Sequence, residues 1–398
     1  MSHAHSIFVA YAALLATTAV ACEPQAPSAP SKAGAPAAEP AAAGERAPWP
    51  IFRGDAALKG VSPGTIGTEL ELLWSYPTAG AVASSPVVAG EVVYVGSDDQ
   101  KLHAVRAKDG APLWSQPTGD IVEAPPLIVD GVVVVGAHDG IVYAFDARSG
   151  EPRWKLETGD KIVGSANSLR SPDGKSWWVV VGSYDATVYC VEARTGAKQW
   201  SYTTANYING APAIDGDLVV FGGCDAVLHA VDGKTGEKRL GLELGQECFV
   251  TGSVALDAGR AYFGHYGNEL VAVDLAKGEI VWRYPSSNDQ PYVSSPAIGV
   301  DRLVVGGRDK HLHCLAKADG KLLWKVPTRR KIDGCPVICG EHVVFGSGDG
   351  RLFVVRLADG EVLWSYDLGS SIFSSPAVAD GRIYVGAADK RLHCFGKR

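Results

Sequence analysis

The sequence predicts an all-β fold, an eight-bladed β-propeller of four-stranded antiparallel blades, on three observations. A tryptophan recurs at Trp74, Trp114, Trp154, Trp200, Trp282, Trp324 and Trp364, with Leu240 on the one missed beat, at gaps of 40, 40, 46, 40, 42, 42 and 40 residues. A fixed period in the forties marks a chain made by copying one supersecondary unit. Each unit holds four short apolar runs separated by corners rich in Gly and Asp. The array opens with an apolar run that belongs to no unit and closes with a unit that lacks its last run.

In chain order, residues 1–21 read as a signal peptide. The apolar run Ile7 to Ala21 is too short to span a bilayer comfortably and suits a signal-peptide core, although Met1 to Ser6 supply no Lys or Arg ahead of it. It ends Ala19-Val20-Ala21-Cys22, which resembles a bacterial lipobox with Ala19 where Leu is commonest. The expectation is lipidation of Cys22; the same Ala-x-Ala also suits ordinary cleavage before Cys22. Residues 22–47, nearly all Ala, Pro, Gly and Glu, have too little apolar bulk to fold and read as a flexible linker. Residues 48–398 are left for the propeller.

One unit, Ser75 to Trp114, shows the pattern. Its runs AVASSPVV, VVYVGS, KLHAVRA and APLW are separated by Ala89-Gly90, Asp98-Asp99 and Asp109-Gly110, which reads as an antiparallel meander. Asp and Gly tolerate corner conformations that β-branched residues resist. Corner aspartates recur as Asp139, Asp185, Asp225, Asp309, Asp349 and Asp389. A four-stranded sheet of this size cannot bury both faces alone, and stacking copies around an axis solves the problem. Each terminal Trp offers an apolar plate between blades and an indole N–H that needs an acceptor. The last unit, from Ser365 to Arg398, lacks its fourth strand, and the leading run Glu69 to Trp74 can supply it, which closes the ring and removes two exposed edges.

The formal net charge of −7 argues against nucleic acid, which needs a basic face. Cys190, Cys314 and Cys394 fall where other units carry Ala and read as small core residues. Cys335 and Cys339, four apart in a strand, are out of disulfide reach. His103, His229, His313 and His393 share one repeat position with Tyr143 and Tyr189, so they sit on separate blades and cannot gather around one metal. No metal site is expected.

The unit GxxYVGxxDxxLHAxDxxTGxxxW resembles the pyrroloquinoline-quinone (PQQ) type repeat, and Trp49-Pro-Ile-Phe-Arg-Gly-Asp55 resembles the lead-in common in that superfamily. The resemblance covers about residues 49 to 398 and implies the propeller fold. It is weak for function, because such propellers serve quinone enzymes, assembly scaffolds and sensor domains.

Innermost strands line the axis of a propeller, and two rings of positions compete to face it. One is small throughout: Ser84, Ala124, Gly164, Gly210, Gly252, Ser294, Gly334 and Ser374. The preceding ring is Ala83, Glu123, Val163, Asn209, Thr251, Val293, Asp333 and Phe373. Strand alternation points the two in opposite directions. Glu123, Asn209, Thr251 and Asp333 are the polar channel-lining candidates. In quinone-dependent alcohol dehydrogenases the resemblance implies a Ca²⁺ held by Glu, Asn and Asp oxygens, with an Asp as base. Here the three types come from blades two, four and seven. Neither a vicinal Cys pair nor a Cys-x-x-Cys-His haem motif is present. The expectation is a wet channel with no catalytic residues and no cofactor, with PQQ and Ca²⁺ entering only under an oxidoreductase alternative.

Departures from the repeat mark loops that can bind partners: six extra residues around Ser171 to Trp178, and two each near Gly245 to Cys248 and Ser286 to Gln290. Lys161, Arg329, Arg330, Lys331, Trp177 and Trp178 are the rim and partner-contact candidates. In repeat type, blade count, length and anchor the chain is similar to the BamB family of outer-membrane protein assembly factors. That similarity implies a scaffold on the periplasmic side of the outer membrane, docked on envelope proteins of the β-barrel assembly machinery. An envelope sensor or interaction module is a further alternative.

Overall fold

The computed structural model describes residues 49–398; the expected signal peptide, Cys22 and the linker lie outside the described residues. These residues fold into eight four-stranded antiparallel sheets, one of which carries a fifth, parallel strand. The blades are numbered one to eight in chain order by their short innermost strands: Val87–Ala89, Leu127–Val129, Asn167–Arg170, Ala213–Asp215, Ala255–Asp257, Ala297–Ile298, Val337–Cys339 and Ala377–Ala379. Innermost strands touch from blade three round to blade eight, between eight and one, and between one and two, while Trp154 of blade two bonds Ala193 of blade three, so the ring is closed. Closure is by the expected route. The strand Glu71–Pro77 pairs antiparallel with Arg391–Gly396, with Trp74 opposite Cys394, and becomes the outermost strand of blade eight.

The tryptophan period has a common physical basis. The indole N–H of Trp74 donates to the carbonyl of Ala107 in the next blade (3.1 Å), and Trp114, Trp154, Trp200, Trp282, Trp324 and Trp364 donate likewise to Ala147, Ala193, Gly233, Lys317, Leu357 and Leu70. In six of the seven the ring packs against a turn glycine three residues beyond the acceptor; Trp364, whose acceptor Leu70 lies in the lead to the closing strand, has Leu73 at that place. At Gly150 (φ +75°) a Cβ would stand 2.7 Å from the Trp114 ring, so glycine is required for conformation and for space. In blade four Leu240 meets Gly278 with no donor to offer.

A second tie runs blade to blade nearer the axis. The amides of Ala211, Ser253, Ser295, Cys335 and Ser375 donate in turn to the side chains of Ser253, Ser295, Cys335, Ser375 and Ser85 at 2.8 to 3.2 Å. This hoop binds blades four to eight and blade one. Pro125 and Ser165, at the matching positions of blades two and three, do not continue it.

The lead-in forms a belt across one end of the ring, which the sequence did not foretell. Residues 49–62 pass the innermost strands in order. The amides of Val88, Ile128, Ile214, Leu256, Ile298 and Ile338 donate to the carbonyls of Trp49, Pro50, Ala56, Ala57, Lys59 and Gly60 at 2.7 to 2.9 Å. In blade three the belt has turned inward, and Asn167 replaces it: its Oδ1 accepts from the Ser168 amide while its Nδ2 donates to Ala56 and Pro212. Val61–Ser62 then adds a parallel strand to Val337–Cys339, the fifth strand of blade seven, and Ser62 Oγ donates to Val378 of blade eight. The inward turn carries Arg53, 2 % exposed, whose guanidinium donates to the carbonyls of Leu58 (2.9 Å), Pro296 (2.6 Å) and Pro336 (3.4 Å). Burial holds Arg53 below its usual pKa. Trp49, Ile51 and Leu58 are buried around it. The belt therefore seals the end of the ring toward which the innermost strands run.

Candidate functional site

With one end sealed, access to the axis is from the other, where the innermost strands begin. The two competing rings are resolved there. Small-ring members are packed between blades: a Cβ on Gly210 would lie 2.5 Å from the Gly252 carbonyl oxygen, and one on Gly334 would lie 2.7 Å from that of Ser374. Ser84 and Ser294 instead donate to the carbonyls of Ala124 and Gly334 in the next blade. The preceding ring faces solvent at the mouth, with Glu123 and Phe373 exposed and Ala83, Val163, Asn209, Thr251, Val293 and Asp333 partly so.

Around this ring stand the hairpins joining second and third strands. The corner aspartates anchor them. Asp99, Asp225, Asp309 and Asp389 accept from His103, His229, His313 and His393 at 2.9 to 3.1 Å, while Asp139 and Asp185 accept from Tyr143 and Tyr189. The same carboxylates take backbone amides from the loop entering the blade, as Asp99 does from Ala79 and Asp185 from Gly159. The histidines are thus structural and separate, as their spacing implied. Burial keeps His103, His313 and His393 below their usual pKa against the pull of their aspartates. Cys190, Cys314 and Cys394 are fully buried opposite a Trp; burial pushes the Cys314 and Cys394 thiols up to about 12. The cysteines among the described residues are free.

The mouth is divided into sectors. On blades one and two it is acidic: Glu123 contacts His138 (3.1 Å), and burial, then the nearby Glu123, raise the Asp98 pKa. On blades three to five it is aromatic. Tyr184 and Tyr207 stack with centroids 4.6 Å apart, and Lys161 Nζ lies 4.5 Å from the Tyr184 centroid. Tyr207, Phe249 and Tyr266 are 40 %, 37 % and 39 % exposed. On blades six and seven it is basic. Arg308 Nε donates to Asp333 (2.9 Å), Lys331 Nζ sits 2.5 Å from the same carboxylate, and Arg308 Nη1 reaches the Tyr266 hydroxyl (3.4 Å). Arg329 and Arg330 are exposed beside them.

Each proposed calcium ligand is thereby occupied locally. Asp333 lies between two cations, Glu123 faces His138, and Asn209 accepts from the Tyr184 hydroxyl while donating to Cys224 Sγ (3.1 Å). They stand in blades seven, two and four and do not converge. A carboxylate already neutralised by Arg308 and Lys331 is a poor seat for a dication, so these residues do not fit a quinone–calcium centre. Thr251 Oγ1 is buried without a partner among the described residues.

The rim candidates divide between faces. Lys161, Arg329, Arg330 and Lys331 are on the open mouth. Trp177 and Trp178 follow the lengthened hairpin of blade three, at the sealed end. Trp177 lines a cleft of about 330 Å³ with Ile51, Asp55, Leu127 and Ser168, and Arg170 stacks 4.1 Å from its ring centroid. Trp178 is buried in the blade core. The six residues therefore form no single rim. Tyr184, Tyr207, Phe249, Tyr266 and Arg308 were missed in the sequence. Tyr184, Tyr266 and Arg308 share one repeat position with Asp98, His138, Cys224, Gly348 and Ala388, and that variability was the available signal.

A family model described as outer membrane protein assembly factor BamB matches residues 67–177, 171–295 and 308–396. The chain belongs to the BamB-type PQQ-repeat family. No curated protein sequence matches significantly. Among solved structures, BamB from Moraxella catarrhalis superposes with a TM-score of 0.69 at 20 % identity, over 83 % of this chain and 98 % of that one. A europium-containing methanol dehydrogenase gives 0.74 at 14 % identity, over 88 % and 98 %. The quinohemoprotein alcohol dehydrogenase of Comamonas testosteroni gives 0.73 at 16 %, over 88 % and 81 %. At these identities the structural likenesses show the shared propeller, which BamB and the quinone enzymes have in common.

Proposed function

We propose that this BamB-family propeller is a non-catalytic, periplasm-facing scaffold that assists assembly of outer-membrane β-barrel proteins, exported and anchored to the outer membrane through lipidated Cys22. The observation that carries this reading is the mouth itself. Glu123, Asn209 and Asp333 are tied to partners in their own sectors, and over blades three to seven the exposed groups include aromatic and basic side chains on loops, suited to holding a polypeptide. The competing reading is a PQQ-dependent oxidoreductase, which the fold shared with methanol and alcohol dehydrogenases keeps in view.

Two measurements separate them. Affinity purification of the native protein from envelope extracts should recover the β-barrel assembly machinery; its absence, with the protein intact, refutes the scaffold reading. Titration with PQQ and Ca²⁺ should give no saturable cofactor absorbance and no dye-linked alcohol oxidation. Saturable binding abolished by Glu123→Ala and Asp333→Ala would establish the enzyme instead.

A further inference from the structure

We propose that the mouth over blades four to seven, with the basic sector and the Tyr207, Phe249 and Tyr266 part of the aromatic one, forms a docking surface for an extended polypeptide segment in which aromatic side chains neighbour acidic ones. This deepens the scaffold reading and rests on it.

Three observations carry the proposal. First, large apolar side chains exposed elsewhere, such as Leu113, Val281 and Val362, stand on the outermost strands of separate blades. Tyr207, Phe249 and Tyr266 instead occupy neighbouring loops of one face. The Tyr266 amide donates to the Phe249 carbonyl (3.0 Å), which fixes the two loops side by side. Aromatic rings on an ordered scaffold present large contact area at little conformational cost.

Second, the basic sector reverses the sign of the whole protein, whose net charge is −7. Arg308 and Lys331 share the single carboxylate of Asp333, leaving one positive charge in that trio. Arg329 and Arg330 add two exposed guanidinium groups. The Arg308–Tyr266 contact makes the aromatic and basic sectors continuous, so a ligand seated on the rings meets the cations within the same rim.

Third, Asp98 and Glu123 stand at the mouth on blades one and two. A long polyanion crossing the opening would meet them. A short acidic peptide confined to blades four to seven would not, and the acidic sector sets its polarity by repulsion. Nucleic acid, which also stacks on aromatics, is disfavoured on this ground.

The test uses the purified protein and a fluorescein-labelled ten-residue peptide alternating Phe and Glu, read by anisotropy at low and physiological salt. Control probes replace Glu by Lys, replace Phe by Ala, or substitute a ten-nucleotide oligo-dT. The Phe–Glu peptide should bind saturably, and each peptide control should lose at least about tenfold in affinity. The variants Phe249→Ala with Tyr266→Ala, and Arg329→Glu with Arg330→Glu, should lose a similar factor with unchanged thermal midpoints, since these side chains are exposed. Leu322→Ala with Leu323→Ala, on an outer strand, should bind as the parent does. Absence of binding, equal binding of the Lys peptide, tighter binding of oligo-dT, or affinity within twofold of the parent in both mouth variants would each overturn the proposal. Recovery of the assembly machinery by the same protein is a separate readout, so the scaffold reading can survive that failure.

Discussion

Blade two contains a matched pair of glycines that isolates what the tryptophan plate requires of its neighbour. Gly131 and Gly150 have nearly the same backbone conformation, at φ +77° and +75°. A Cβ on Gly131 meets nothing within 4 Å, whereas one on Gly150 would lie 2.7 Å from Cδ2 of Trp114. Gly131→Ala should therefore cost only the left-handed backbone penalty, about 1–2 kcal/mol. Gly150→Ala should cost that plus the overpacking of a rigid indole, about 1–3 kcal/mol more. The indole cannot simply retreat, because its N–H is bonded to the Ala147 carbonyl. The assay is equilibrium urea unfolding followed by fluorescence and circular dichroism, with coincident transitions and an unchanged m-value required before midpoints are compared. Adding Trp114→Leu to Gly150→Ala should recover most of the excess, a coupling of about 1–3 kcal/mol. Equal destabilisation by the two alanines, or no coupling to Trp114, would refute the plate as the origin of the period.

Leu240→Trp should supply the missing indole donor to the Leu275 carbonyl and raise the thermal midpoint; a lowered midpoint would mean that blades four and five have closed up around leucine. Stability should fall on acidification. His265, 1 % exposed, is held by burial at about 4 in the folded state against an ordinary histidine value of 6.5, so the unfolded chain binds the extra proton and stability is lost as pH falls below about 6.5. For this one residue the loss is about 2 kcal/mol at pH 5 relative to neutral pH, and His265→Leu should shrink the difference between pH 7.5 and 5 by that amount in urea midpoints. An unchanged difference would show that His265 titrates normally. Arg53→Met should strip acceptors at the Leu58 and Pro296 carbonyls of their donor and cost roughly 2–4 kcal/mol. The amides of Ile214, Leu256, Ile298 and Ile338 should lose hydrogen-exchange protection together, and retained protection would show that the belt holds without its arginine.

The period of Trp74 to Trp364 carried the blade count and the closing strand, because each tryptophan repeats one indole bond to a neighbouring carbonyl, and all but Trp364 repeat one contact with a glycine turn. The histidine and cysteine positions were legible for the same reason. The belt was not. Its ties are backbone amides and carbonyls, which leave no side-chain pattern, and its clearest residue, Arg53, looks like any surface arginine until its position near the axis is seen. Alternation told that two rings oppose each other but not which meets water; that depended on how closely Gly210 and Gly252 approach between blades. The mouth sectors come from single residues on loops eight times separated in the chain, so composition averaged them to nothing. Trp177 and Lys161 belong to one blade and one inter-blade loop yet lie at opposite ends, because a four-residue strand runs between them.

The joining of the two chain ends has a kinetic consequence. Trp74 and Cys394 become neighbours across about 320 residues, and closing such a loop costs only about 2.5 kcal/mol more than closing one of 20 residues. The thermodynamic burden is modest, but the order of events is constrained. Residues 49–77 precede every blade in the chain; the belt can meet each inner strand as its blade forms, but the strand Glu71–Pro77 finds its partner only once blade eight exists. Until then two open sheet edges wait in water, vulnerable to wrong pairings. A protein of this design should refold slowly and concentration-dependently, with ring closure, not blade formation, setting the pace.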